Sequence, residues 1–156
     1  MSKENLHIIS KYEVIDKIGE GPLGEVFKVK EKKNSKIYAA KILQLSLEEE
    51  EGDAKTTKEI LRQTKKISKF KHPSIAKFIN FSPVDFQGNR KAVLISEFVS
   101  KGSLADVLKD VRNGNEELKS ENLTDTRKLI ILYSIASAMS YLHSYKIVHR
   151  HLKLEN

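Results

Sequence analysis

Gly19-Glu20-Gly21-Pro22-Leu23-Gly24-Glu25-Val26 is the stretch on which the fold turns. It fits the pattern G-x-G-x-x-G-x-V. Glycines at this spacing let a strand, a turn and a second strand lie close over phosphate groups with free backbone N–H groups. Taken alone, the pattern fits a plain glycine-rich hairpin equally well. Its surroundings narrow it. Tyr12, Val14 and Ile18 alternate with polar residues before it, and Val26, Phe27 and Val29 follow it, so it lies between two strands. The dinucleotide-binding use of the same spacing needs a helix after the glycines, and is excluded.

Lys32-Lys33-Asn34-Ser35 reads as a polar turn into a third strand, Ile37 to Leu43. That strand carries Tyr38-Ala39-Ala40-Lys41, with Lys41 fifteen residues after Val26. An ammonium in an apolar strand needs an anionic partner, because an unpaired buried charge is costly. A nucleotide phosphate would serve; a lysine on a solvent face is the plainer alternative. Ile60, Leu61, Thr64, Ile67 and Phe70 or Lys71 recur at helical spacing and predict a helix over 54–71, with Phe70 in the core. His72-Pro73 stops it, since the residue before proline is driven out of the helical region. Ile75 to Phe81 and Ala92 to Phe98 read as two more strands, turned by Phe86 to Arg90.

Ser103 is a candidate N-cap for a short helix from Leu104 to Val111, and residues 112–123 read as a loop. Thr124 can cap a long helix reaching about Ser144. Its stripe of Leu129, Leu132, Ala136 and Met139, widened by Tyr133, Ile135 and Leu142, needs cover on most sides. Little in the twelve residues after it can supply that cover, so self-association through 124–144, a bound partner, or poor order over 112–156 is expected. His143, near its end, is expected in packed core. The order of elements predicts an α+β fold: a five-stranded antiparallel sheet with one helix, then the first helices of a second region.

Of the 156 residues, 39% are hydrophobic and 31% charged, the balance of an ordinary globular domain. No apolar run approaches the ~20 residues of a membrane span, and the start lacks a signal-peptide core. Absence of Cys rules out disulfides, thiolate metal sites and a Cys nucleophile, and the cytoplasm is the default compartment. No His pair has metal-ligand context. Between Lys55 and Lys77 eight cations face one anion, Glu59, a local excess equal to the whole net charge of +7. This reads as a solvated helix face. No nucleic-acid partner is expected, because these cations map to a helix the fold already uses.

The last motif is Ile147-Val148-His149-Arg150-His151-Leu152-Lys153-Leu154-Glu155-Asn156. With the glycine stretch and Lys41, in this order and spacing, the chain resembles the eukaryotic protein kinase family from about Tyr12 to Asn156. That family's signatures are the glycine loop, a lysine on strand three and H-R-D-L-x-x-x-N. Lys71-His72-Pro73-Ser74-Ile75 resembles the segment after helix C. Ser96-Glu97-Phe98-Val99 resembles the interlobe hinge, and Gly102-Ser103-Leu104 the start of helix D. Lys153 resembles the serine/threonine branch.

The resemblance implies an N-terminal extension over 1–11, an N-lobe and hinge over 12–99, and a partial C-lobe over 100–156 that ends at the catalytic loop. It implies ATP and Mg2+ as cofactors, both held weakly by this chain, and a protein substrate or partner, with no membrane. Gly19, Gly21 and Gly24 would cover the phosphates. Val26 and Ala39 would sandwich the adenine, with Ser96 as gatekeeper and the backbone of Glu97 and Val99 on its edge. Lys41 would hold the α- and β-phosphates, Lys153 would approach the γ-phosphate, and Asn156 would be a magnesium ligand. His149 would support the catalytic loop from within.

Three departures shape the expected activity. The position of the family's catalytic Asp is His151. Imidazole accepts a proton, with a reference pKa of about 6.5, but its bulk differs, and when protonated it repels magnesium and Lys153. Helix C's Glu is replaced by Gln63, with Glu59 one turn earlier. D-F-G, the activation loop and A-P-E do not occur in the sequence. The expectation is an N-terminal half of a kinase domain, with pseudokinase-like departures, inactive in phosphoryl transfer as this chain. The alternative is a non-catalytic pseudokinase module acting as a binding scaffold.

Overall fold

The structure is a computed structural model that describes residues 8–22, 24–46, 62, 64, 66–114 and 123–155, with the backbone alone at 45 and 46. Two units form, Met1–Lys71 with Ala76–Phe98, and His72–Ile75 with Val99–Asn156.

The first unit is a five-stranded antiparallel sheet in the order β1-β2-β3-β5-β4. Its strands are β1 (Tyr12–Gly21), β2 (Gly24–Glu31), β3 (Ile37–Ser46), β4 (Phe78–Ser82) and β5 (Lys91–Glu97). Residues directly opposite in such a ladder share a face, and successive residues alternate. Phe27, Ala40 and Ile95 are therefore aligned on one face, and Val26, Lys41 and Leu94 on the other. The first face holds the core. Val29, Ala40, Val93 and Ile95 have no exposed surface, and Ile9, Tyr12 and Val84 complete the cluster. β-branched side chains dominate it, as suits a pleated, buried face.

β1 is irregular. Its register against β2 shifts between Val14 and Asp16 and again between Lys17 and Gly19. Ile15 and Ile18 are thus extra residues, each a bulge that bends the strand and increases its twist. Between β4 and β5, the buried Asp85 carboxylate accepts from the backbone N–H of Gln87 and Asn89 and from Asn89 Nδ2, each at 2.9 Å. That fixes the expected turn at 86–90.

The expected helix over 54–71 falls mostly outside the described residues. Within it, 62, 64, 66 and 67 are helical, and the helix gives way to a turn at Ser68. Phe70 is half-buried rather than core. β4 begins at Phe78, three residues later than the apolar run from Ile75 suggests. The cause is a turn: His72 O accepts from Ile75 N at 3.1 Å, and His72 Nδ1 accepts from Ser74 N at 3.1 Å.

The second unit holds α1 (Leu104–Arg112) and α2 (Asp125–Ser144). Ser103 caps α1 in a reciprocal box with Asp106, one residue after Gly102 takes φ +70°. Thr124 Oγ1 accepts from Arg127 N to cap α2. At its other end Ile147 N bonds Leu142 O and Lys146 N bonds His143 O, the Schellman pattern, with Lys146 at φ +59° where glycine is usual.

Along α2, Ala138 and Leu142 are buried. Leu129, Leu132 and Tyr133 expose 67%, 63% and 75% of their surface. His143 is exposed, against the expectation of packed core. It lies about 100° round the helix from Leu142, off the one buried line. No helix among the described residues is long and apolar enough to cross a membrane.

Candidate functional site

The second face of the sheet, away from the core, gathers the residues singled out by sequence. Register places Gly19 opposite Val26, Val26 opposite Lys41, and Ala39 opposite both Lys28 and Ser96. Val26, Ala39, Lys41 and Ser96 are all half-buried. Lys41 is thus held beside apolar side chains on a partly covered face.

The three glycines of the hairpin differ. Gly24 has φ +128°, and a Cβ there would come within 1.9 Å of Ile42 O, so the fold itself requires glycine. A Cβ on Gly19 would meet only Val26, at ordinary distance, and one on Gly21 would meet nothing within 4 Å. Neither has positive φ. The chain's own packing thus gives no reason for glycine at 19 or 21. Room above a backbone is what a close-lying ligand needs.

At the end of β5, Glu97 N donates to Lys77 O at 2.9 Å. Phe98 closes the first unit, and its ring lies 5.2 Å from Lys28 Nζ, within cation–π range. Lys28 shares the face of Ala39 and Ser96, and sequence alone does not mark it. The available signal is its place two residues after Val26, which alternation puts on the same face.

In the second unit, Val99 is exposed, and the segment after α2 is arranged around its own imidazoles. His149 Nδ1 accepts from His151 N at 3.3 Å. Arg150 between them has φ +63°, a strained state for a non-glycine residue of the sort that gathers at functional sites. His151 and Lys153 are exposed, as is His149. Ala105 N, at the start of α1, donates to Leu154 O at 3.0 Å and holds the segment's far end.

Comparison with known proteins matches this architecture. The family model for the protein kinase domain matches residues 12–156. The chain belongs to the protein kinase family. Cyclin-dependent kinase-like 1 of Caenorhabditis elegans is 30% identical over 148 residues, 95% of this chain and 37% of that protein. Aurora kinase B of Mus musculus is 30% identical over 148 residues, 95% of this chain and 38% of its own length. A serine/threonine-protein kinase of Dictyostelium discoideum, itself named as probable, is 29% identical over 154 residues. The chain spans less than two fifths of the length of these curated relatives.

In kinase terms, Gly19, Gly21, Val26, Ala39, Lys41 and Ser96 fall on one face of the first unit. Val99, His151 and Lys153 fall in the second unit. Glu59, Gln63 and Asn156 lie outside the described residues. Among the described residues no group of three or more His, Asp or Glu could hold a metal ion.

One other arrangement invites a catalytic reading. An open cavity of about 550 Å³ is lined by His72, Tyr133, Ser137 and Tyr141, and His72 Nε2 lies 3.1 Å from Ser137 Oγ. Because His72 Nδ1 already accepts from Ser74 N, its proton sits on Nε2, which donates to the serine. That polarity is the reverse of what activates a nucleophile.

Proposed function

We propose that this kinase-family chain, related to the serine/threonine branch, binds ATP and does not transfer its γ-phosphoryl group. The observation that supports the nucleotide half is the shared face of Gly19, Gly21, Val26, Ala39, Lys41 and Ser96, with open space above the first two glycines. In this reading Lys41 holds the α- and β-phosphates, Val26 and Ala39 flank the adenine, and the backbone of Glu97 meets its edge. Bound ATP with magnesium supplies a transferable phosphoryl group. The region 12–99 is the N-lobe with the hinge, and 100–156 is part of the C-lobe. Cytoplasm is the compartment we assign.

His151 supports the loss of transfer. Catalysis at this position needs a group that accepts the substrate hydroxyl's proton beside cationic neighbours, and losing a general base costs about 10²–10⁴-fold. Heat-denaturation midpoints with and without ATP test binding: ATP raises the midpoint of the chain, and Lys41→Ala abolishes the rise. Transfer of labelled phosphate to a generic basic substrate should match an enzyme-free control. Activity that disappears in Lys41→Ala would overturn the second half.

A second reading, a non-catalytic module that associates through 124–144, is favoured by the exposure of Leu129, Leu132 and Tyr133. A concentration-independent monomer by light scattering would remove it.

A further inference from the structure

Lys17, Glu20 and Glu25 form an ionic triad at the glycine hairpin, on the face opposite Val26 and Lys41. Nothing in the reading above uses it. Glu20 and Glu25 are cross-strand partners, so two carboxylates stand directly opposite, a destabilising pairing. Lys17 Nζ relieves it by donating to Glu20 Oε2 and to Glu25 Oε1, both at 2.6 Å. In a regular strand Lys17 and Glu20, three residues apart, would point to opposite faces. The bulge at Ile18 returns them to the same one. The hydrogen bond to Glu20, more than any other influence, raises the Lys17 ammonium's pKa, and Lys17 holds the Glu20 carboxyl below its usual range. Lys17 and Glu20 therefore stay charged at neutral pH. Beside them a cavity of about 120 Å³ is lined by Glu20, Glu25, Ile42, Gln44 and Lys91, so the triad faces open space rather than packed core.

This matters because the hairpin is the element that must lie over a polyanion. With Lys17 the three side chains sum to one negative charge; without it they carry two. The side chains of Lys17, Glu20 and Glu25 are 41%, 69% and 43% exposed, so salt screens the clamp.

We propose that Lys17 is a positioning residue for a nucleoside triphosphate. By clamping Glu20 to Glu25 it keeps the glycine hairpin closed and offsets negative charge that would oppose the phosphates. The proposal rests on the nucleotide-binding reading above. It differs from a general stabilising role in one respect: its effect grows with the number of phosphates on the ligand.

The test is calorimetric titration of the full chain with ATP and with adenosine, at about 50 and about 500 mM salt. The variants are Lys17→Ala, Lys17→Arg, Lys41→Ala, and Lys17→Ala combined with Glu20→Gln and Glu25→Gln. Amide exchange over 17–26 is followed in each without ligand. Lys17→Ala is expected to weaken ATP binding about two- to fivefold, to leave adenosine unchanged and to speed hairpin exchange. Lys17→Arg and the triple variant should restore most of the affinity, and high salt should shrink the difference. If Lys17→Ala binds ATP as wild type does while Lys41→Ala loses it, the clamp proposal falls and the nucleotide reading stands. If wild type binds ATP no better than Lys41→Ala, the nucleotide reading falls and the positioning role goes with it. A triple variant as weak as Lys17→Ala would also overturn the charge argument.

Discussion

The sheet and the long helix are built from equally apolar sequence and meet opposite fates. In the sheet, Val29, Ala40, Val93 and Ile95 are fully buried. In α2, Leu129, Ile130, Leu132 and Tyr133 stay more than half exposed, and only Ala138 and Leu142 are buried. The strands alternate, so their apolar residues collect on one face that Ile9, Tyr12 and Val84 can cover. The helix is apolar nearly all round, and a helix of that kind needs neighbours on most sides. Each large apolar side chain left exposed forgoes about 1.5–3 kcal/mol. Burial in this chain follows the supply of opposing surface, not the hydrophobicity of the segment.

That contrast breaks most directly under truncation of matched residues. Ile95→Ala should cost about 2–5 kcal/mol in urea unfolding, and Leu132→Ala less than about 0.5. Equal costs would mean that α2 is covered after all. A second test asks whether the sheet's precision extends to its backbone. Gly24→Ala combines left-handed strain of about 1–3 kcal/mol with a clash against Ile42 O. Gly88→Ala, with φ +87° and open space around it, should cost the strain alone, and so less.

The smallest expected effect sharpens the helical side. Ser103→Ala should cost α1 about 1 kcal/mol of helix stability. Asp106 in the same box has a carboxyl pKa below its ordinary value, chiefly because it accepts from the Ser103 hydroxyl. A group depressed in the folded state contributes stability above its unfolded pKa and loses it as pH falls through the folded one. Amide protection of α1 should therefore fade in acid, below the usual aspartate range. Protection indifferent to acid would deny the box any role.

Much of this was legible in the sequence because it rests on local rules. The glycine stretch, the alternation through Val29 and Ala40, and the caps at Ser103 and Thr124 each state their structure within a few residues. The remainder depends on partners far along the chain. The late start of β4 comes from His72 holding the turn at 72–75. The exposure of His143 was not legible, because an all-round apolar helix announces no preferred face. The bulges at Ile15 and Ile18 are invisible in a strand's own sequence, since an extra residue shows only against its partner. Lys28 joins the candidate site only once Phe98 is seen beneath its ammonium.

Those two bulges leave β1 with slack. A one-residue deletion near Ile18 can be absorbed by flattening the bulge, after which Lys17 and Gly19 meet Phe27 and Val26 as before. β2 has no such reserve, being paired without a shift to β3. Removing Phe27 would exchange the faces of everything beyond it, sending buried residues outward. The hairpin can therefore change length on one side only. Over evolutionary time, the strand leading into the glycines is free to shorten, and the strand leaving them is not.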